Sequence, residues 1–170
     1  SEGDFLLVDY GGYYEGGIAT DTTRTFIKGL PSPEQKRVYT TVLKAFLNAY
    51  YNNYDKKASY FSIDKVARDV ITKNLKDEYT FGHGTGHGVG ISVHENPPVL
   101  STRDISKTKI VENTVFSIEP GAYKEGWGGI RLENTVYASI EGDKIVMNTF
   151  SHFPFEIKLV DLSLMNDYEK

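Results

Sequence analysis

Four carboxylates in this chain stand where a carboxylate is hardest to place, at the ends of short apolar, β-prone runs. Asp9 closes Phe5-Leu6-Leu7-Val8, Glu119 closes Val115-Phe116-Ser117-Ile118, Glu133 closes Ile130-Arg131-Leu132, and Asp21 opens Thr22-Thr23-Arg24-Thr25-Phe26. Burying a charge costs several kcal/mol unless it is paired, and a cation is one of the few partners able to offset that cost. A fold that buries these runs must therefore bring partners to the acids. Each acid alone reads as a satisfied strand-end residue, or for Glu133 as an ion-pair partner of Arg131. Together with the imidazole of His87 they form a metal-type ligand set, and such a set points to hydrolytic chemistry.

The first two acids flank a glycine-rich turn around Glu15-Gly16-Gly17, the pattern of a β-hairpin whose adjoining strands can present both to one face. His87 lies in Phe81-Gly82-His83-Gly84-Thr85-Gly86-His87-Gly88-Val89-Gly90, followed by His94 and Glu95-Asn96-Pro97-Pro98. Glycine at alternate positions costs a helix about 1 kcal/mol each against alanine. The segment is therefore expected to be extended, with backbone and substrate able to approach closely. His83, His87 and His94 need not share one role. A phosphate loop is excluded because no Gly-Lys-Ser or Gly-Lys-Thr follows.

Between hairpin and histidines the spacing predicts two helices. The first begins at Ser32-Pro33-Glu34-Gln35, with a Ser/Gln capping box and proline in the first turn, and runs to about Tyr51. Its stripe is Val38, Val42, Ala45 and Ala49. The second starts near Ser62, with Ile63, Val66, Ala67, Val70, Ile71 and Leu75 at helical spacing. Residues 52–57 read as the turn between them. Strands follow Tyr79, with a hairpin tip at Glu141-Gly142-Asp143-Lys144, and no internal repeat is evident. The expected class is α+β, a curved antiparallel sheet covered by two helices, its other face holding the site. The aromatic tail 150–161 carries Pro154, which excludes a central strand, His152 reads as structural, and 162–170 as a short surface element.

With 170 residues and 39% hydrophobic content the chain can form one sizeable core. A net charge of −4 supplies no basic field for nucleic acid, and no apolar run approaches the roughly 20 residues that cross a bilayer. The absence of cysteine excludes disulfides and thiol chemistry. Nucleic acid and membrane are thus not expected partners, and the cytoplasm is the expected location.

Asp9, the Asp-Thr-Thr-Arg-Thr run at Asp21, His-Gly-Thr-Gly-His-Gly-Val-Gly, Val-His-Glu, Ile-Glu-Pro-Gly and Gly-Ile-Arg-Leu-Glu resemble the signature blocks of the pita-bread metallopeptidases, from about Asp4 to Asp161. The Gly-Ile-Arg-x-Glu block resembles the proline-specific branch, Xaa-Pro aminopeptidase and Xaa-Pro dipeptidase (prolidase). Asn134 stands where methionine aminopeptidases carry histidine. The tail favours the aminopeptidase. The resemblance implies two divalent metal ions, with Asp9 on one, His87 and Glu119 on the other, and Asp21 and Glu133 bridging. An oxygen-rich set suits Mn2+, with Co2+, Zn2+ or Fe2+ admitted. It further implies Glu119 as general base, His94 as donor to the substrate carbonyl and His83 as pocket lining. Arg131 is expected on the opposite strand face, in support. The implied partners are peptides with proline second, and a homodimer is compatible with the resemblance.

Two departures qualify the likeness. The aspartates are twelve positions apart, one more than the family pattern, so a bulge or longer turn must keep Asp21 on the ligand face. The chain also opens immediately before the first ligand strand, where the family has an upstream half-repeat of the catalytic domain and usually an amino-terminal domain. Residues 1–170 are thus expected to form one catalytic domain lacking those parts. The alternative from another class is a non-catalytic pita-bread module that binds peptide or protein.

Overall fold

Alternation along the strands separates the core from the site. The computed structural model describes residues 1–170. A sheet of six antiparallel strands contains β3 (Tyr54–Asp55), β4 (Gly86–Gly88), β5 (Glu95–Leu100), β6 (Val115–Ile118), β9 (Asn134–Glu141) and β10 (Lys144–Thr149), in spatial order β3-β10-β9-β6-β4-β5. Phe116 and Ile118, Val136 and Ala138, and Ile145 and Met147 point into one buried core with Val38, Val42, Ile63 and Ala67 of the helices. Successive strand residues face opposite ways, so Ser117 and Thr135 turn toward the functional face. Truncating a core residue such as Phe116 to alanine is expected to cost about 3–5 kcal/mol.

Helix α1 spans Pro33–Tyr51, and its Ser32–Gln35 capping box is formed in both directions, as the sequence predicts. Helix α2 spans Tyr60–Leu75 and starts two residues before the predicted Ser62, because Ser59 takes the N-cap position. The expected turn at 52–57 instead contains β3, since Tyr54 and Asp55 pair with Ile145 and Lys144 at the sheet edge.

Two hairpins stand apart from the large sheet. Strands β1 (Phe5–Tyr10) and β2 (Thr22–Ile27) form one, with Asp9 opposite Thr23. Strands β7 (Gly121–Lys124) and β8 (Gly128–Arg131) form the other. The tail contains only short 3-10 turns. It is more firmly docked than the surface element expected for 162–170: Met165 and Glu169 are buried, and Glu169 accepts from Asn48 and pairs with Lys44 on α1.

Candidate metal centre

Asp9 and Asp21 reach the same side because Asp9 pairs with Thr23, and Asp21 lies two residues before Thr23 on that face. The extra residue is absorbed in a longer turn, bridged at Tyr13 and Ala19, while the β1–β2 register continues unbroken. Thr135 donates to the Asp21 carbonyl at 2.7 Å and fixes the start of β2.

Gly86 and Gly88 are required by close approach. A Cβ on Gly86 would lie 1.9 Å from the Ser117 carbonyl oxygen, and one on Gly88 would lie 2.3 Å from that of Glu95. With both sites bare, β4 sinks between its neighbours and His87 is carried to the functional face. Its backbone N–H donates to Ser117 Oγ at 3.1 Å, and Ser117 donates to Glu119 Oε1 at 3.2 Å. Glu119 is held by its own N–H, which donates to the Thr85 carbonyl at 2.8 Å.

Three groups of ligand atoms, each within 4.8 Å of one another, follow: Asp21, His87 and His94; His87, Glu119 and Glu133; Asp9, Asp21 and Glu133. His87 Nδ1 lies 3.0 Å from the Gly88 carbonyl, which can only accept. Nδ1 therefore carries a proton, and Nε2 faces Asp21 Oδ2 (3.5 Å) and Glu119 Oε1 (3.3 Å). Acceptors facing acceptors need a cation between them, or a proton in its place.

The electrostatics describe the same deficit. Burial, then the Asp9 carboxylate, pushes Asp21 up to about 6. Burial draws His87 down, but the Glu119 hydrogen bond, the Gly88 carbonyl and the Asp21 charge outweigh it and push the imidazole up to about 9. Glu133 is only 1% exposed and is held well above the carboxylate range by burial, then by Glu119 and Asp21. Thr23 donates to its Oε2 at 2.7 Å, while Oε1 is buried without a hydrogen-bond partner. That orphaned oxygen and the hard, oxygen-rich donor set fit divalent cations.

Arg131 departs from expectation. It shares the face of Glu133, as residues two apart on a strand must, and reaches into the cluster. It donates to Asp9 Oδ2 at 2.5 Å, lies 3.7 Å from Glu119 Oε2 and donates to the Tyr123 hydroxyl at 3.1 Å. Asp9, expected to be buried, keeps 47% of its side chain exposed and depends on that guanidinium.

His83 donates from Nδ1 to the Gly84 carbonyl and accepts from the Tyr123 hydroxyl at 2.8 Å on Nε2. Burial holds its pKa below the ordinary histidine value, so it is neutral. His94 packs edge-on against His87, with ring centres 4.2 Å apart. It lines two of the cavities beside the cluster: one of about 320 Å³ next to Asp9 and Asp21, and one of about 510 Å³ next to His83, Glu119 and Arg131. His152 lies outside these groups and, with Phe150 and Phe153, lines a third cavity that reaches Asp21.

Several contributors went unnoticed in the sequence. Thr23, Ser117 and Tyr123 share strand parity with Asp21 and Glu119, a signal that could have found them. Arg24 is fully buried and donates to the carbonyls of Glu133 and Phe153 and to Asn134 Oδ1, tying the tail to the segment that carries Glu133. Nothing in its local pattern marks that role.

The model of metallopeptidase family M24 matches residues 1–139. A probable Xaa-Pro aminopeptidase P of Paracoccidioides brasiliensis (strain Pb03) is 38% identical over 96% of this chain, which spans 28% of that protein's length. The crystal structure of an X-prolyl aminopeptidase from Caenorhabditis elegans, described as a cytosolic enzyme with a di-nuclear active site, superposes with a TM-score of 0.87 at 30% identity, over 98% of this chain and 28% of its own. An Xaa-Pro dipeptidase from Bacillus anthracis gives 0.79 at 35% identity, over 91% of this chain and 41% of its own. The curled antiparallel sheet with its two helices is a partial pita-bread fold, as expected from the sequence.

Proposed function

The chain belongs to metallopeptidase family M24, and we propose that it supplies the metal-ligating catalytic unit of an Xaa-Pro aminopeptidase, hydrolysing the bond between an amino-terminal residue and a following proline. The observation that carries this reading is the convergence of Asp9, Asp21, His87, Glu119 and Glu133, with Glu133 Oε1 buried and unpartnered. Those five residues would hold two divalent ions, with Mn2+ suited to the hardness of the donors. When bound, such a pair supplies Lewis acidity and lowers the pKa of a water held there.

The chain's own groups have the following tasks. Glu119 takes up a proton as general base, an assignment supported by Ser117 and the Thr85 carbonyl, which fix its position. His94, at the junction of the two cavities, donates to the substrate carbonyl as negative charge develops. His83, its ring held by the Tyr123 hydroxyl, lines the cavity of about 510 Å³ and offers its ring to the proline. The Xaa-Pro bond has no amide hydrogen, and a site that acts on the carbonyl does not require one.

The aminopeptidase is favoured over the Xaa-Pro dipeptidase by the likeness to a probable Xaa-Pro aminopeptidase P, 38% identical over 96% of the chain, together with the superposition of the C. elegans enzyme over 98% of it. That enzyme's cytosolic description supports a cytoplasmic location. No helix is long and apolar enough to cross a membrane. A peptide-length series with the metal-loaded protein tests the choice: cleavage of tripeptides and longer Xaa-Pro peptides is expected, and a dipeptide-only profile would refute it.

A further inference from the structure

Helix α2 buries its apolar stripe as a covering helix should, with one exception. Asp64 is fully buried beside Ile63 and Ala67. A buried ion pair contributes little to stability that apolar residues of similar volume would not, so its partners have to explain it. Arg68, one turn on, donates through Nε to both Asp64 oxygens at 3.0 and 2.9 Å. Its other nitrogens donate to the backbone carbonyls of Phe81, at 2.8 Å, and of His83, and the guanidinium lies 4.1 Å from the centre of the Phe81 ring. On the other side of Asp64, the Thr85 hydroxyl donates to Oδ1 at 2.6 Å. Thr85 is fully buried, and its carbonyl accepts the Glu119 N–H at 2.8 Å.

We infer that Asp64 and Arg68 are positioning residues, a clamp on α2 that fixes the glycine-rich segment 81–85 and through it sets His83 by the Arg68 contacts and Glu119 by way of Thr85. The glycines at 82 and 84 give the segment little side-chain packing of its own, so its path depends on carbonyls held from outside. Lysine cannot replace this arginine, because a single ammonium does not reproduce a planar fork reaching a carboxylate and two carbonyls.

The test uses the ¹⁵N-labelled chain and the Arg68→Ala variant, read by the imidazole ¹⁵N resonances of His83 and the amide resonance of Glu119. Arg68 borders a cavity of about 380 Å³ shared with Gly82, Gly84 and Arg103, through which millimolar methylguanidinium can reach the vacated position. Both sets of resonances are expected to shift in Arg68→Ala, to return toward wild type with methylguanidinium, and to stay displaced in Arg68→Lys. Should Arg68→Ala fail to fold, Asp64→Asn, nearly identical in volume, is expected to move the Glu119 amide. A folded Arg68→Ala, or in its place Asp64→Asn, that only melts earlier while His83 and Glu119 keep their resonances would overturn the inference. In its kinetic arm alone the inference rests on the proposed activity: kcat/KM for an Xaa-Pro peptide should fall about 10²-fold, as for a displacement near 1 Å. Wild-type protein without peptidase activity would count against that activity and leave the spectroscopic result standing.

Discussion

The two hairpins that serve the cluster are held differently. Glu119 and Glu133, at either end of β7–β8, have their backbones tied to other elements, Glu119 to Thr85 and Glu133 to Thr23. Both side chains are largely removed from water. Asp9, on β1–β2, is half-exposed and takes its position from one guanidinium, that of Arg131. The glutamate side is thus built into the folded sheet, whereas the Asp9 side is completed by a single side-chain contact. Asp21 joins them, being buried like the glutamates but carried by the hairpin. One metal position should therefore be preorganised and tight, and the other weaker and more easily lost.

The largest effect that could break this contrast is expected from Glu119→Gln. Loss of the proposed general base should lower kcat by about 10²–10⁴-fold, and loss of one carboxylate charge from the cluster should empty the tighter of the proposed metal positions, as read by turnover and by metal analysis after dialysis. Retained turnover would remove Glu119 from the chemistry. Next comes Arg131→Met, which should leave the glutamate side charged while freeing Asp9. Affinity for one of two Mn2+ ions should fall about 10–100-fold, typical of losing a residue that orients a ligand. Calorimetry would show one tight and one weakened event, and equal weakening of both would erase the distinction between the two sides.

The pH dependence of the metal-free protein is a third check. Asp21, raised from 3.8 to about 6, binds more protons folded than unfolded in that interval, so stability falls as pH rises through it. His87, raised from 6.5 to about 9, contributes stability that is complete below 6.5 and lost as pH rises through 9. Glu133 acts in the same direction. With chelator, Tm should decline between about pH 4 and pH 9. With Mn2+ the dependence should weaken or reverse, since the metal binds the deprotonated ligands; parallel curves would count against a shared cation site. The smallest effect is expected from Ser32→Ala, which removes the α1 cap at a cost of about 1 kcal/mol and should leave both Mn2+ affinities unchanged.

The helices and the residues that converge in the cluster were legible in the sequence because both follow local rules. The capping box at Ser32 and the stripe from Val38 to Ala49 define α1 without reference to the rest of the fold, and apolar runs ending in an acid mark Asp9, Glu119 and Glu133. The supports were not legible, because they are made across the fold. Arg24 meets the tail near residue 153, Asp64 meets Thr85, and the edge strand β3 exists only because β10 returns beside it. Arg131 was misplaced for a simpler reason, since period two sets it beside Glu133 and not opposite. The burial of Met165 against α1 likewise depends on where the tail lands.

Whether the five converging side chains hold a pair of cations can be seen by anomalous diffraction at the manganese edge from crystals of this chain grown with Mn2+. Two peaks are predicted inside the cluster, one among His87, Glu119 and Glu133 and a weaker one among Asp9, Asp21 and Glu133. An ordered site with no peak there, or with manganese only elsewhere on the surface, would contradict such a pair.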